Sequence, residues 1–404
     1  MKSLFFSILL TVFFISAGGQ DVVQWRGTNL DGIYKETGLL KKWPDAGPKL
    51  LWHFDGLGDG HTSAAVTGTA VYITGMIGDK GFVYAFDLKG KELWKVEYGS
   101  EWTQSWNGVR STPLIVKDKL YFLSGNGKLI CMNSSDGKFV WTVDLIKEFG
   151  ARNIEWGMTE NLLFDGNVLY CTTGGTDAAM VAIEMNSGKM IWKSKGNGET
   201  SAYCSPMLIN LQSRKIIVTM MERSIWGFDA STGAILWNVS QTNDPNVHPN
   251  TPVYIDGMVY CTSGYGTGGV MLKLSADGSS VKEEWRYPRL DPKTGGVVVL
   301  NGRIYGLGDK NRKFFCLDWK TGKELFSVNS LAPGNIITDD GLFYIYSESG
   351  KVSLVEPKTD GINIISSFPV PFGANQHWAH LVIKDKRLYV RHGTSLMVYD
   401  IASV

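Results

Sequence analysis

Short apolar runs alternate with polar turn residues along almost the whole chain. A typical stretch has an apolar run, an Asp-Gly or Asn-Gly pair, and then an alternating run rich in Val, Ile and Tyr, as in LLFDGNVLYCTTG (Leu162 to Gly174) and VVLNGRIYGLG (Val298 to Gly308). Residues that alternate with a period of two lie on opposite faces of a strand, and Asp-Gly and Asn-Gly readily adopt the positive φ angles of two-residue hairpin turns. The pattern therefore predicts antiparallel β-hairpins.

An aromatic anchor follows each of several hairpins. The motif is an acidic or amide residue, a turn that ends in Gly, and a Trp four residues after that Gly, as in Asp87, Gly90 and Trp94. The other anchors are Trp141, Trp192, Trp237, Trp285 in a looser copy, and Phe326. Their spacing of 41 to 51 residues is typical of propeller blades with four strands each. We expect the Gly to permit the turn between the third and fourth strands and the Trp to pack between neighbouring blades.

Counting hairpins gives the number of blades. Eight starts lie near Thr62, Ser111, Thr159, Ser205, Thr251, Gly295, Asn335 and Trp378. The last copy, residues 380–400, stops before a fourth strand, and the missing strand lies at the other end of the chain, where Trp52 follows Gly47. The sequence thus predicts an all-β fold, an eight-bladed β-propeller of four-stranded antiparallel blades over residues 47–404, with its ring closed by the N-terminal strand. Residues 20–46 are expected to be an extension that packs on the ring.

The first residues have the layout of a secretory signal peptide. Lys2 is followed by an apolar run of about a dozen residues, shorter than the roughly 20 that a membrane-spanning helix needs, and then by small residues near Gly18. No Cys follows the run to carry a lipid. We expect residues 1–19 to be removed, no transmembrane segment in the mature chain, and export to the periplasm or the extracellular space.

Composition narrows the possible partners and cofactors. The net charge is +1 with acidic and basic residues interspersed, which argues against nucleic acid as a partner. Five cysteines lie far apart in apolar runs without a CxxC pair, so we expect each to be a small buried side chain.

Three stretches resemble a known family. The motif in DASTGAILW (Asp229 to Trp237) and DWKTGKELF (Asp318 to Phe326) is similar to the blade signature of pyrroloquinoline-quinone (PQQ) type propellers, and QWRGTNLDG (Gln24 to Gly32) resembles the opening of an exported PQQ-like subgroup. The resemblance covers nearly the whole mature chain. It implies a fold shared by quinoprotein alcohol dehydrogenases and by the scaffold lipoprotein of the β-barrel assembly machinery. Fold alone does not assign a function.

The dehydrogenases of this fold carry a recognisable cofactor site. The resemblance implies that PQQ needs a Ca²⁺ or lanthanide held by carboxylate and amide oxygens, a catalytic Asp, an aromatic floor and usually a vicinal disulfide. This sequence has no Cys-Cys pair and no CxxCH haem motif. We therefore expect no cofactor, with PQQ and calcium as the alternative if a divergent metal site exists.

Polar and aromatic residues concentrate in the segments that lead into the innermost strands, which line the channel and one face of a propeller. We expect nine of them to form a ligand site at the channel mouth: Trp106, Arg110, Trp156, Glu160, Tyr203, His248, Asn250, His377 and Trp378. Such a pocket suits a protein group or a polar small molecule such as a carbohydrate. Arg110 could instead cap backbone carbonyls around the channel.

Other motifs in these segments favour structural roles. Glu155 and Glu160 are five residues apart across a turn and are expected to be solvated rather than an acid and base pair. His377 and His380 enter a strand, where they would point to opposite faces and not share a metal. The mixture of indole, cation and carboxylates from Trp25 to Glu36 is expected to pack across one face of the ring.

Two functions remain from the sequence. The first is an exported, non-catalytic binding or scaffold propeller that recognises a protein or polar ligand at its channel mouth. The alternative is a PQQ-dependent oxidoreductase, an alcohol or sugar dehydrogenase, with a divergent metal site.

Overall fold

The computed structural model describes residues 22–403, so the predicted signal peptide lies outside the described residues. Eight antiparallel sheets form the blades of a closed ring, which confirms the predicted fold. In each blade the strands run in order from the channel to the rim. The first four blades comprise blade 1, β3 (Ala65–Val66), β4 (Ala70–Ile77), β5 (Lys80–Asp87), β6 (Glu92–Ser100); blade 2, β7 (Leu114–Val116), β8 (Lys119–Leu123), β9 (Lys128–Asn133), β10 (Phe139–Asp144); blade 3, β11 (Leu163–Asp165), β12 (Val168–Thr172), β13 (Met180–Glu184), β14 (Met190–Ser194); blade 4, β15 (Met207–Asn210), β16 (Lys215–Met220), β17 (Ser224–Asp229), β18 (Ile235–Ser240).

The second half of the ring repeats the same order. Its blades comprise blade 5, β19 (Val253–Ile255), β20 (Met258–Ser263), β21 (Gly268–Leu274), β22 (Val281–Tyr287); blade 6, β23 (Val298–Leu300), β24 (Arg303–Leu307), β25 (Phe314–Asp318), β26 (Glu324–Val328); blade 7, β27 (Gly334–Asp339), β28 (Leu342–Ser347), β29 (Lys351–Pro357), β30 (Ile362–Pro369); blade 8, β31 (Val382–Lys384), β32 (Arg387–His392), β33 (Ser395–Asp400) and β2 (Lys49–Phe54). One short helix, α1 (Leu145–Phe149), follows blade 2, and no helix among the described residues is long and apolar enough to cross a bilayer.

The two ends of the ring differ in their connections. One end, here called the turn face, carries tight turns such as Asn301 and Gly302, whose φ angles of 51° and 71° suit the predicted hairpin. The other end, here called the loop face, carries the longer segments that run from the outermost strand of one blade to the innermost strand of the next. The loop face is therefore where variable side chains can gather.

Each anchor Trp joins its blade to the next. The ring of Trp141 in blade 2 lies against Gly188 in the outer turn of blade 3, and its Nε1 donates a hydrogen bond of 2.8 Å to the Met185 carbonyl in that turn. Trp94, Trp192, Trp237 and Trp285 donate in the same way to the following blade. The repeated Gly is thus required for its φ angle and also because the indole leaves no room for a side chain.

The N-terminal strand closes the ring as the sequence predicts. β2 pairs antiparallel with β33, so the outermost strand of blade 8 comes from the other end of the chain. Trp52 on β2 then donates from Nε1 to the Leu88 carbonyl of blade 1 and packs on Gly90, which is the same contact that joins the other blades.

The core lies between the blades. Hydrophobic clusters form mostly from the facing sides of adjacent sheets, such as the cluster of Leu123 and Cys131 in blade 2 with Cys171 and Val181 in blade 3. All five cysteines are buried and free, and burial raises the pKa of the Cys131 thiol to about 12. They act as small apolar side chains, as expected.

Part of the N-terminal extension lies inside the channel rather than only across one face. β1 (Val22–Val23) pairs antiparallel with the innermost strand β7 of blade 2. The chain then turns back towards the turn face, where Ile33 bridges Thr338 of blade 7 and Leu39 bridges Ala402. The expectation that Trp25 to Glu36 packs across one face of the ring is therefore corrected. The segment enters the channel because the inner edge of β7 has unpaired backbone groups, and β1 forms hydrogen bonds with them.

The Trp and Gly contact can be tested with two glycines that share a backbone conformation. Gly188 has a φ of 70° and a β-carbon there would stand 2.8 Å from Trp141, whereas Gly166 has a φ of 58° and open space around it. We expect Gly188→Ala to lower the free energy of unfolding by about 3 kcal/mol and Gly166→Ala by about 1 kcal/mol, because only the first adds overpacking to the strain. Urea denaturation of both variants measures the difference, and equal losses would contradict the packing role of the indole.

Candidate functional site

A cavity of about 600 Å³ opens at the channel mouth on the loop face. That volume is in the usual range for ligand sites. Its lining residues come from eight segments of the ring and from the N-terminal extension: Trp25, His61, Trp106, Arg110, Trp156, Thr159, Asn161, Tyr203, Asp244, Pro245, Val247, Pro249, Tyr265, Lys293, Thr294, Trp378 and His380. Five of the nine predicted site residues are among them.

Aromatic rings form most of the cavity wall. The rings of Trp106 and Trp378 lie 5.3 Å apart, and those of Trp378 and His61 lie 4.9 Å apart. On another side, Tyr203 donates from its hydroxyl to the Trp156 carbonyl at 2.6 Å. Flat rings held in this way offer a large contact area with little conformational entropy to lose on binding.

Two of the wall residues have unusual backbone conformations. Trp106 has a φ of 45° and Tyr203 a φ of 71°, in the left-handed region that bulky side chains rarely adopt. Such conformations persist where the surroundings hold them, and they are common in binding sites. Here they place the Trp106 side chain at the rim of the cavity, where it is 52% exposed.

Arg110 is the cation of the cavity without a carboxylate partner. Its Nη2 donates to the Ser105 and Trp106 carbonyls at 3.0 and 2.6 Å, so the structural role considered from sequence is present. Its Nη1 is shielded and has no hydrogen-bond partner within residues 22–403, and no described carboxylate lies within 4.0 Å. Lys293 differs, because its ammonium is 3.3 Å from Asp309 and 3.2 Å from Glu348.

His61 also lines the cavity and was not predicted. Both of its ring nitrogens are shielded and have no partner among the described residues. Burial, together with the charges of Arg110 and Arg391, lowers its pKa to about 3, so the ring is neutral at physiological pH. His61 directly precedes the first predicted hairpin, and this position in the sequence could have identified it as a cavity residue.

Glu160 does not line the cavity. It is buried, and its carboxyl oxygens accept from the Thr172 amide at 3.2 and 3.0 Å within blade 3. Burial raises its pKa to about 8. The expectation that Glu160 is solvated and the expectation that it contacts a ligand at the mouth both fail on this geometry.

Three other candidates are also turned away from the cavity. His248 is fully buried, with Nδ1 2.6 Å from the Ser263 hydroxyl. Asn250 is fully buried and bridges blades 5 and 6, because it donates to the Pro292 carbonyl and accepts from the Gly296 amide. His377 lies 2.6 Å from the Tyr346 hydroxyl and stacks on His392. These side chains satisfy buried backbone or hydroxyl groups and so hold the loop segments in place.

The Glu160 carboxyl gives the protein a specific pH dependence. Its folded pKa of about 8 exceeds its ordinary value of 4.5, so between these values the folded state holds a proton that the unfolded state loses, and stability falls as pH rises. We expect Glu160→Gln to be more stable than the wild type by about 4 kcal/mol at pH 8, with little difference at pH 4.5. Urea denaturation at both pH values measures this, and a gain independent of pH would contradict it.

Solved structures with the same architecture come from two kinds of protein. BamB from Moraxella catarrhalis superposes with a TM-score of 0.62 at 16% identity, over 87% of this chain and 99% of that one. The quinohemoprotein alcohol dehydrogenase from Comamonas testosteroni gives 0.67 at 11% identity, over 94% and 80%. At such identities the likeness shows the fold alone.

Sequence comparison narrows the family. The chain is 28% identical over 210 residues to the outer membrane protein assembly factor BamB of Kangiella koreensis, which covers 51% of this chain and about half (49%) of that relative. It is 23% identical over 324 residues to the BamB of Yersinia pestis, over 77% and 67%. A family model described as outer membrane protein assembly factor BamB matches residues 79–328. The chain therefore belongs to this family of PQQ-like propellers.

Proposed function

We propose that the protein is an exported, non-catalytic propeller that binds a partner protein and acts as a scaffold, with a projecting group of the partner entering the cavity at the channel mouth. The observation that carries the proposal is the aromatic cavity on the loop face with an unpaired Arg110 at its side. Family membership supports it, because matched relatives are named for outer membrane protein assembly. Because these relatives are named for the outer membrane, their names also support export of this protein.

The rim of the cavity suits a macromolecular partner. Trp106 and Tyr265 are 52% and 40% exposed at the opening. Aromatic and Arg side chains contribute much of the energy at protein interfaces, chiefly where they fill or line pockets. The unpaired Arg110 favours a partner group with a carboxylate or carbonyl oxygen. A polar small molecule or carbohydrate is the smaller occupant that the same cavity could take.

The cofactor of the related dehydrogenases has a poor fit to these residues. Residues 22–403 bring together no group of three or more His, Cys, Asp or Glu side chains that could hold a metal ion. Trp25, with Arg26 beside it, closes the inner end of the cavity, and the buried free cysteines are not adjacent in sequence. The aromatic walls could stack on a quinone, but the described cavity lining offers calcium only one carboxylate, Asp244, and one side-chain amide, Asn161, whereas this ion takes about six to eight oxygen ligands.

Photo-crosslinking in the host cell envelope tests the scaffold function. With a benzoylphenylalanine at position 106, we expect a covalent adduct of defined mass, and none with the same residue at Ile255, which is exposed on the turn face. Trp378→Ala in the position 106 background removes a cavity wall and should lower the adduct yield roughly tenfold. Adducts of equal yield at both positions, or a yield insensitive to Trp378, would contradict binding at the cavity.

A cofactor titration tests the alternative function as a PQQ-dependent oxidoreductase, a kind of protein that has the same fold. We expect no saturable change in tryptophan fluorescence with PQQ and Ca²⁺ at tens of micromolar, and no dye reduction with alcohols or aldose sugars. A quinoprotein alcohol dehydrogenase serves as the positive control. Saturable binding with turnover would replace the scaffold proposal by the oxidoreductase.

A further inference from the structure

Arg26 lies at the tip of the N-terminal segment inside the channel. Its Nη1 donates to the Gly295 carbonyl at 2.7 Å and its Nη2 to the Val297 carbonyl at 2.8 Å, both at the entry to blade 6. Nη1 is also 3.3 Å from the Ile336 carbonyl of blade 7. One guanidinium thus joins residues that are about 270 and 310 positions away in the chain.

His380 of blade 8 completes the set of acceptors. Its Nε2 is 2.8 Å from the Thr294 carbonyl, which requires a proton on Nε2, and its Nδ1 is 3.2 Å from Arg26 Nη1. With the proton on Nε2, the Nδ1 lone pair accepts from the guanidinium. Burial and the charge of Arg26 keep the His380 pKa well below its ordinary value, which fits this neutral form.

The guanidinium also holds its own loop together. Arg26 Nη2 donates to the Asp31 carbonyl at 3.1 Å, and a β-carbon on Gly32 would meet that same nitrogen. The Gly32 amide in turn donates to the Arg26 carbonyl. Beyond these bonds, the segment is tied to the ring mainly by β1 and by the Thr338 pairing. Arg26 is therefore the main link at the tip.

The segment separates two cavities. Trp25 forms part of the floor of the channel-mouth cavity, with its ring 4.7 Å from that of His380. Val22, Gln24 and Gly27 line a second cavity of about 430 Å³ that opens beside the turns of blades 1 and 8. The same few residues thus bound both spaces.

We propose that the channel wall is a guanidinium-binding site, built from the carbonyls of Gly295, Val297 and Ile336 and from His380, and that Arg26 fills it in cis. Residues 22–34, here called the plug, are held in the channel by this site and close the channel below the cavity. The proposal concerns the channel interior and stands independently of what the channel mouth binds. Planar guanidinium with five fixed N–H donors matches several converging acceptors, which an ammonium cannot do.

Chemical rescue tests the site. Hydrogen exchange with mass spectrometry follows the amides of the plug in the full mature chain. We expect Arg26→Ala to speed exchange in residues 22–34 at least about tenfold, because the buried charged hydrogen bonds are lost, while exchange in the blades is unchanged. Methylguanidinium at low millimolar concentration should restore the slow exchange, and methylammonium should not, because it has the charge without the planar fork.

A second buried arginine provides the matched control. Arg391 is also almost fully buried, and its Nη1 joins blade 8 to blade 1 by donating to the Thr74 carbonyl, while its Nε donates to the Gly393 carbonyl within blade 8. We expect Arg391→Ala to lower the melting temperature of the whole ring, with no selective opening of residues 22–34 and no rescue. Arg26→Lys should give exchange between that of the wild type and Arg26→Ala.

Two outcomes would overturn the proposal. If Arg26→Ala lowers the melting temperature as Arg391→Ala does and exchange rises equally in all blades, the segment is part of the ring core and not a plug. If exchange in residues 22–34 rises but methylammonium restores slow exchange as well as methylguanidinium does, the channel wall binds any small cation and is not specific for guanidinium. Neither result bears on the crosslinking at position 106, so the proposed function can fail or hold separately.

Discussion

The packing of an indole on a glycine is the contact on which the ring depends. A four-stranded blade has one apolar face on each side and cannot bury both alone, so each blade needs two neighbours. The Trp of one blade lies on the Gly turn of the next and donates to a carbonyl there, as with Trp141 and Gly188. The contact fixes the lateral position of adjacent blades. Its repetition at Trp52 joins the last blade to the first in the same way.

This constraint operates near the turn face and leaves the loop face free. The anchors and their glycines stand at the start of the outermost strands, whereas the segments that form the cavity come after those strands end. Sequence can therefore vary on the loop face without disturbing the joints between blades. Buried polar residues such as Asn250 still join loop segments to a neighbouring blade, so hydrogen bonds hold the cavity walls although they belong to loops.

The fold could be predicted because its determinants are local. A turn pair, a period of two and a Gly followed by Trp each lie within a few residues, and the missing fourth strand of blade 8 pointed to β2.

The site was predicted in part, because five of the nine predicted residues line the cavity. Side chains in equivalent loop segments face either the cavity, as Trp156 does, or the buried interior of the ring, as Glu160 does. That choice depends on backbone angles and on partners in other blades, which no local pattern in the sequence encodes.

The position of the plug could not be predicted from local sequence patterns. QWRG has no periodicity, and the acceptors of Arg26 are brought to it only by closure of the ring. Two of these acceptors, Gly295 and Val297, lie within the residues that match the family model. The other two, Ile336 and His380, lie outside them, as does Arg26 itself. A side chain whose acceptors come from three blades can settle only after those blades are in place. Insertion of the plug is thus expected to follow ring closure, and the floor of the cavity to be the last part of the site to form.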